Sequence, residues 1–166
     1  GTEKKPAVTV TCNGNTLTQG QDYTLYYHAN TNAGSATVTI TGKGRFSGSV
    51  EKAFQIQPAD LSRSSVDLSA DSFTYDGTEK KPSVTVKTGN RQLTANSDYT
   101  VSFVNNTNAG SATVTVTGKG NYSGSVTKNF TISAASLEKA ELALSASSFT
   151  YDGTEKKPDV TVTVNK

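Results

Sequence analysis

The chain has 166 residues and a formal net charge of +2, with 18% charged and 33% hydrophobic residues, one histidine and one cysteine. Charges of both signs are interspersed, which gives no electrostatic case for nucleic acid or an anionic membrane surface. No apolar run approaches the ~18 residues of a membrane span, and a lone Cys12 with a lone His28 supplies neither a disulfide framework nor a catalytic cluster.

The sequence repeats itself. GTEKKPAVTV begins at Gly1, GTEKKPSVTV at Gly77 and GTEKKPDVTV at Gly153, so the period is 77 − 1 = 153 − 77 = 76 residues. About 45 of the 76 aligned positions are identical. The longest shared run, NTNAGSATVT, stands at Asn30 to Thr39 and again at Asn106 to Thr115. FTYDG runs uninterrupted into Gly77 and Gly153, so Gly1 falls inside a turn rather than at a module edge. Short polar and small residues replace alternation near 59–65 and 134–140, which places linkers there. The expected organisation is a module at 1–58 lacking its opening strand, a complete module at 66–133, and the opening of a third at 141–166.

Period-two patterning predicts the strands of the complete module. In PSVTVKT, Val84 and Val86 alternate with Ser83, Thr85 and Lys87. DYTVSFV puts Tyr99, Val101 and Phe103 on one face, SATVTVTG does so with Ala112, Val114 and Val116, and SVTKNFTIS aligns Val126, Phe130 and Ile132. TGNRQLTANS, NNTNAG and GKGNYSG between them read as loops rich in Gly and Asn. FTYDG reads as a short strand entering an Asp-Gly turn. LEKAELAL is the best helix candidate, but its counterpart LSRSSVDL is a poor helix former. The predicted class is all-β with little or no helix: tandem small antiparallel modules, Ig-like sandwich or β-grasp-like.

The set FTYDGTEKKP, NSDYTVSF, NNTNAG and SATVTVTGKGNYSGSV resembles the YDG-type (MBG-like) repeats of bacterial, mostly Gram-positive, cell-surface proteins, and the resemblance covers essentially the whole chain. It implies an extracellular, wall-attached protein whose repeats form a stalk, with neighbouring repeats as the main partners. The family has no general catalytic motif, so no enzyme activity, cofactor or metal is expected. Cys12 is unusual for such proteins, and its counterpart is Thr88.

Asp76 in its turn is a candidate calcium ligand, but calcium needs several oxygen ligands close together and the sequence assembles none, so it reads as a turn former. The paired lysines of TEKK read as solvated charge, with Pro6, Pro82 and Pro158 after them at strand starts. The GKG loops lack the following helix of a phosphate cradle and read as strand connectors.

Tyr26 and His28 share a strand face that carries Ser102 and Val104 in the second copy. They are the candidate contacts for a host glycan or protein in an adhesive reading. Lys52 and Lys128 share parity with apolar residues. An inward lysine there is a candidate for an intramolecular isopeptide bond with Asn or Asp. On an edge strand, the same lysine blocks unwanted pairing, or a bulge turns it outward. A further reading is head-to-tail self-association, in which the strand LALSASSFTYD of one chain fills the missing opening of another.

Overall fold

The computed structural model describes residues 1–138 and 140–164; the last two residues of the third segment, and Lys139 of LEKAELAL, lie outside the described residues. The first copy contributes β1 (Thr11–Cys12), β2 (Asn15–Thr16), β3 (Tyr23–His28), β4 (Gly34–Gly42) and β5 (Ser49–Ile56). After it come β6 (Ala59–Asp60), β7 (Ser65–Leu68) and β8 (Ser72–Thr74). The second copy repeats the pattern with β9 (Val84–Thr88), β10 (Arg91–Gln92), β11 (Tyr99–Val104), β12 (Gly110–Gly118), β13 (Tyr122–Ser123) and β14 (Ser125–Ser133). β15 (Glu141–Leu144) and β16 (Val160–Thr163) open the third. No helix occurs among the described residues, and LEKAELAL ends in strand β15. The all-β class holds for the described residues, which form strands and turns only.

The sheets are β3-β4-β5, β10-β9-β7, β11-β12-β14-β8 and the two-stranded β1-β2, β13-β6 and β15-β16. In β3-β4-β5 the ladder is antiparallel, with Tyr26 opposite Thr39 and Val38 opposite Lys52. Two pairings are parallel, β14 with β8 and β13 with β6. Segments expected as loop or linker also carry structure. Asn13-Gly14 and Gly89-Asn90 are two-residue connections that close the hairpins β1-β2 and β9-β10, as left-handed residues at such positions allow. β6 lies inside the linker near 59–65.

Cα proximity groups the chain into two compact units interleaved along the sequence: Gly1–Leu68, Val84–Ser102 and Val114–Lys128, and then Ser69–Ser83, Phe103–Thr113 and Asn129–Lys166. Within the first, Val66, Val86, Leu93, Tyr99, Val114 and Val116 are buried. The Tyr99 hydroxyl donates to Val84 O at 3.1 Å, which satisfies the polar end of a buried ring. Burial, with Asp98 beside it, pushes the Tyr99 hydroxyl pKa up. The connection from β12 needs a glycine at Gly118, because a Cβ there would sit 2.7 Å from Ser123 N and 2.8 Å from Tyr122 C.

Within the second unit, Phe130 is buried and meets Phe73 and Phe103 edge to face, with centroids 5.5 and 6.5 Å apart. β15 and β16 pair Leu142 with Val162 in the register that pairs Val66 with Val86 one period earlier. The hairpin of the third copy is thus built like that of the second, although Leu142, Leu144, Val160 and Val162 are exposed.

The extended TEKK segment has no strand ladder of its own and is held by a buried asparagine. Lys80 N donates to Asn106 O at 2.7 Å, and Asn106 Nδ2 returns a bond to Lys80 O at 3.0 Å. Lys4 and Asn30 repeat this at 2.7 and 3.1 Å. Asn106→Ala leaves a carbonyl without its donor, so it should cost about 1–3 kcal/mol of stability. The exposed Asn108→Ala should stay within about 0.5 kcal/mol. Urea unfolding of the two variants checks the contrast, and equal midpoints would refute it.

Candidate functional site

The best-built polar site joins the two copies. It rests on the loop from β12 to β14, in which Gly118 N donates to Gly124 O at 2.9 Å and Lys119 Nζ reaches Asn96 O at 2.9 Å. That closure presents Asn121 at the tip of the loop. Its Oδ1 accepts from Ala33 N at 2.7 Å, and its Nδ2 donates to Asn32 Oδ1 at 3.1 Å. Its backbone oxygen accepts from Ala59 N at 2.9 Å, and Ser123 O accepts from Leu61 N at 2.9 Å. These last two bonds form the parallel pair β13-β6, with Tyr122 opposite Ala59 and Ser123 opposite Asp60.

Two features fix the receiving side. Leu61 is fully buried, at 0% exposure, and its carbonyl accepts from Ser64 N at 2.8 Å. Asp60 turns its carboxylate onto Ser62, accepting from Ser62 N at 2.9 Å and from its hydroxyl at 2.7 Å, and these bonds hold the carboxyl below its usual range. Gly124 lies against Asp60 with φ of +75°, and a Cβ there would come 2.4 Å from Asp60 Oδ1. Only glycine allows both that backbone conformation and that approach.

Asn121 stands where the first copy carries Arg45, and no local pattern in the sequence points to this contact. The signal was the substitution itself. A carboxamide both donates and accepts, whereas a guanidinium only donates.

Tyr26 and His28 lie side by side on the outward face of β3, opposite Thr39 and Thr37, and Tyr26 is 67% exposed. Thr39 donates to Glu51 at 2.9 Å on the neighbouring strands of that sheet. Lys52 is exposed on β5. Lys128 is half-buried on β14, and its Nζ donates to Val66 O at 2.9 Å, so its stem covers apolar surface while its charge meets a backbone carbonyl. Cys12 is an exposed free thiol.

The Asp-Gly turns are ion-paired turn formers. Asp76 Oδ1 accepts from Thr78 N at 2.9 Å, from the Thr78 hydroxyl at 2.6 Å and from Lys80 Nζ at 2.5 Å. Contrary to the reading of TEKK as solvated charge, the Lys80 side chain is only 11% exposed. Asp152 repeats the arrangement with Thr154 and Lys156. Among the described residues, no group of three His, Cys, Asp or Glu side chains is close enough to hold a metal.

Residues 71–134, which contain β8 to β14, match the family described as bacterial Ig-like domain (group 3). No curated protein and no solved structure matches the chain. The family match assigns the second copy to a class of structural or surface-associated modules.

The Lys156 ammonium, with the Thr154 hydroxyl and amide, pulls the Asp152 carboxyl down to about 2. Its folded value therefore lies below the unfolded value of about 3.9. The contribution of this turn should be complete above pH ~4 and lost as pH falls through about 2. Carboxyl carbon chemical shifts followed against pH should give Asp152 a midpoint well below that of an unpaired aspartate, and an ordinary midpoint would contradict the ion-paired turn.

Proposed function

We propose that the chain is a run of spacer modules from a long extracellular protein of a bacterial surface, of the YDG type. Its copies set the reach of the protein and do no chemistry themselves. The observation that carries this reading is the Asn121 clasp. Two side-chain hydrogen bonds, two backbone hydrogen bonds and a buried leucine make one copy grip the loop of the next. Modules joined by a flexible linker alone would have no need of such a contact. Where each module contacts mainly its neighbours, length scales with copy number. The match to bacterial Ig-like domains supports a structural or surface-associated module, and the YDG-like motifs support the finer placement on a Gram-positive cell wall.

In a weakly aligning medium, amides of the β3-β4-β5 sheet and of the β7-β9 pair should report one alignment tensor in the natural chain. They should report two in Asn121→Ala. Two tensors in the natural chain would defeat the spacer reading.

The adhesive reading is favoured by one observation, the outward-facing pair Tyr26 and His28. An exposed aromatic ring beside an imidazole suits stacking on a sugar or a protein surface. On a glycan array, this reading requires binding that is lost in Tyr26→Ala. No binding leaves the copies as spacers.

A further inference from the structure

We propose that the groove formed on the second copy by Asn108, Ala109 and residues 134–138 is the seat for the Gly-Lys-Gly-Asn-Tyr-Ser-Gly loop of a further copy of this repeat. The seat selects asparagine at the fourth position of that loop. The inference rests on the spacer reading, to which it adds the next junction and the residue that licenses it.

The occupant follows from the first junction. Asn32, Ala33, Ala59 and Leu61, which hold the loop of Asn121, have as counterparts 76 residues later Asn108, Ala109, Ala135 and Leu137. Those four line the same groove, of ≈ 1060 Å³. The repeat that opens again with GTEKKPDVTV at Gly153 carries such a loop in its second copy, at Gly118 to Gly124.

The groove already has the shape of the occupied site. Ala140 N donates to Leu137 O at 2.9 Å, as Ser64 N does to Leu61 O at 2.8 Å. Glu138 N donates to the Ser136 hydroxyl at 3.1 Å, as Ser62 N does to Asp60 Oδ1 at 2.9 Å. The receiving backbone is therefore organised before any loop docks, which lowers the ordering cost of docking. The difference between the two sites is the leucine: Leu61 is 0% exposed, whereas Leu137 is 66% exposed. Leu137 thus stands in water at the place where the first junction covers its counterpart.

Selectivity comes from the carboxamide. At the first junction it accepts from a backbone N–H and donates to an asparagine oxygen at once. An arginine at the same place has donors only and leaves the Ala109 N–H without its acceptor. The loop of the first copy, Gly-Lys-Gly-Arg-Phe-Ser-Gly at Gly42 to Gly48, is thereby excluded from the seat.

The test extends the chain after Asp152 with a third copy identical to residues 77–152 and reads amide hydrogen exchange site by site. Ala135 and Leu137 should exchange about a hundredfold more slowly than in the 166-residue chain. Replacing the asparagine of the appended loop by arginine should restore the fast rates. Unchanged rates at Ala135 and Leu137, or equal protection by the arginine loop, would overturn the proposal. The Ala59 and Leu61 amides report the first junction in the same spectra, so loss of protection there tells against the spacer reading instead. As a second measurement, the 166-residue chain is titrated with millimolar peptide Gly-Lys-Gly-Asn-Tyr-Ser-Gly, cyclised to copy the loop closure. Amide shifts at Ala109, Ala135 and Leu137 with this peptide, and none with its arginine form, support the seat. No shifts with either, or shifts with both, overturn it.

Discussion

A buried asparagine does in this protein, through its backbone carbonyl and its carboxamide, what a strand ladder does elsewhere. The TEKK segment runs extended between the Asp-Gly turn and the strand that opens the module, and its backbone groups need partners where no neighbouring strand supplies them. Asn106 gives Lys80 both an acceptor and a donor, and Asn30 does the same for Lys4. Strand β9 follows from that anchored segment and carries Val86 into the core. In a chain that is only 33% hydrophobic, fixing the backbone with paired amides spares the core from having to do so alone.

This exchange gives the repeat its physical meaning. NTNAG and GTEKKP recur unchanged in both copies, and in each copy the first asparagine of the one bonds the first lysine of the other across 26 residues of sequence. Asp76 and Lys80 extend the device, since the turn carboxylate pairs with the lysine whose backbone Asn106 holds. What differs between the copies stands elsewhere. Arg45 and Asn121 occupy one loop position, and the asparagine is the one that grips a neighbouring copy.

The strands were legible because their faces are decided by a period of two. Tyr99, Val101 and Phe103 lie inward of Thr100, Ser102 and Val104, as alternation requires. β6 was not legible, because a two-residue strand shows no periodicity and its parallel partner β13 lies in the other copy. Lys128 obeys the parity that placed it on an apolar face, yet its Nζ escapes to a backbone carbonyl, a freedom a long flexible stem always has. Lys80 read as solvated for the opposite reason: the carboxylate that draws it down sits four residues back in an irregular turn.

By itself the sequence determined the 76-residue period, the all-β class, the alternating faces and the turns rich in glycine and asparagine. These are properties of residues and their near neighbours. Tertiary structure alone decided which asparagines are buried partners and which are loop surface, since Asn106 and Asn108 stand two residues apart in one motif. It also decided that Leu61 is covered, beside a loop that lies in the other copy. The physical reason is that a hydrogen bond or a buried side chain needs a partner in space: Asn106 finds Lys80 26 residues back and Leu61 meets a loop of the other copy, at distances along the chain that no local pattern records.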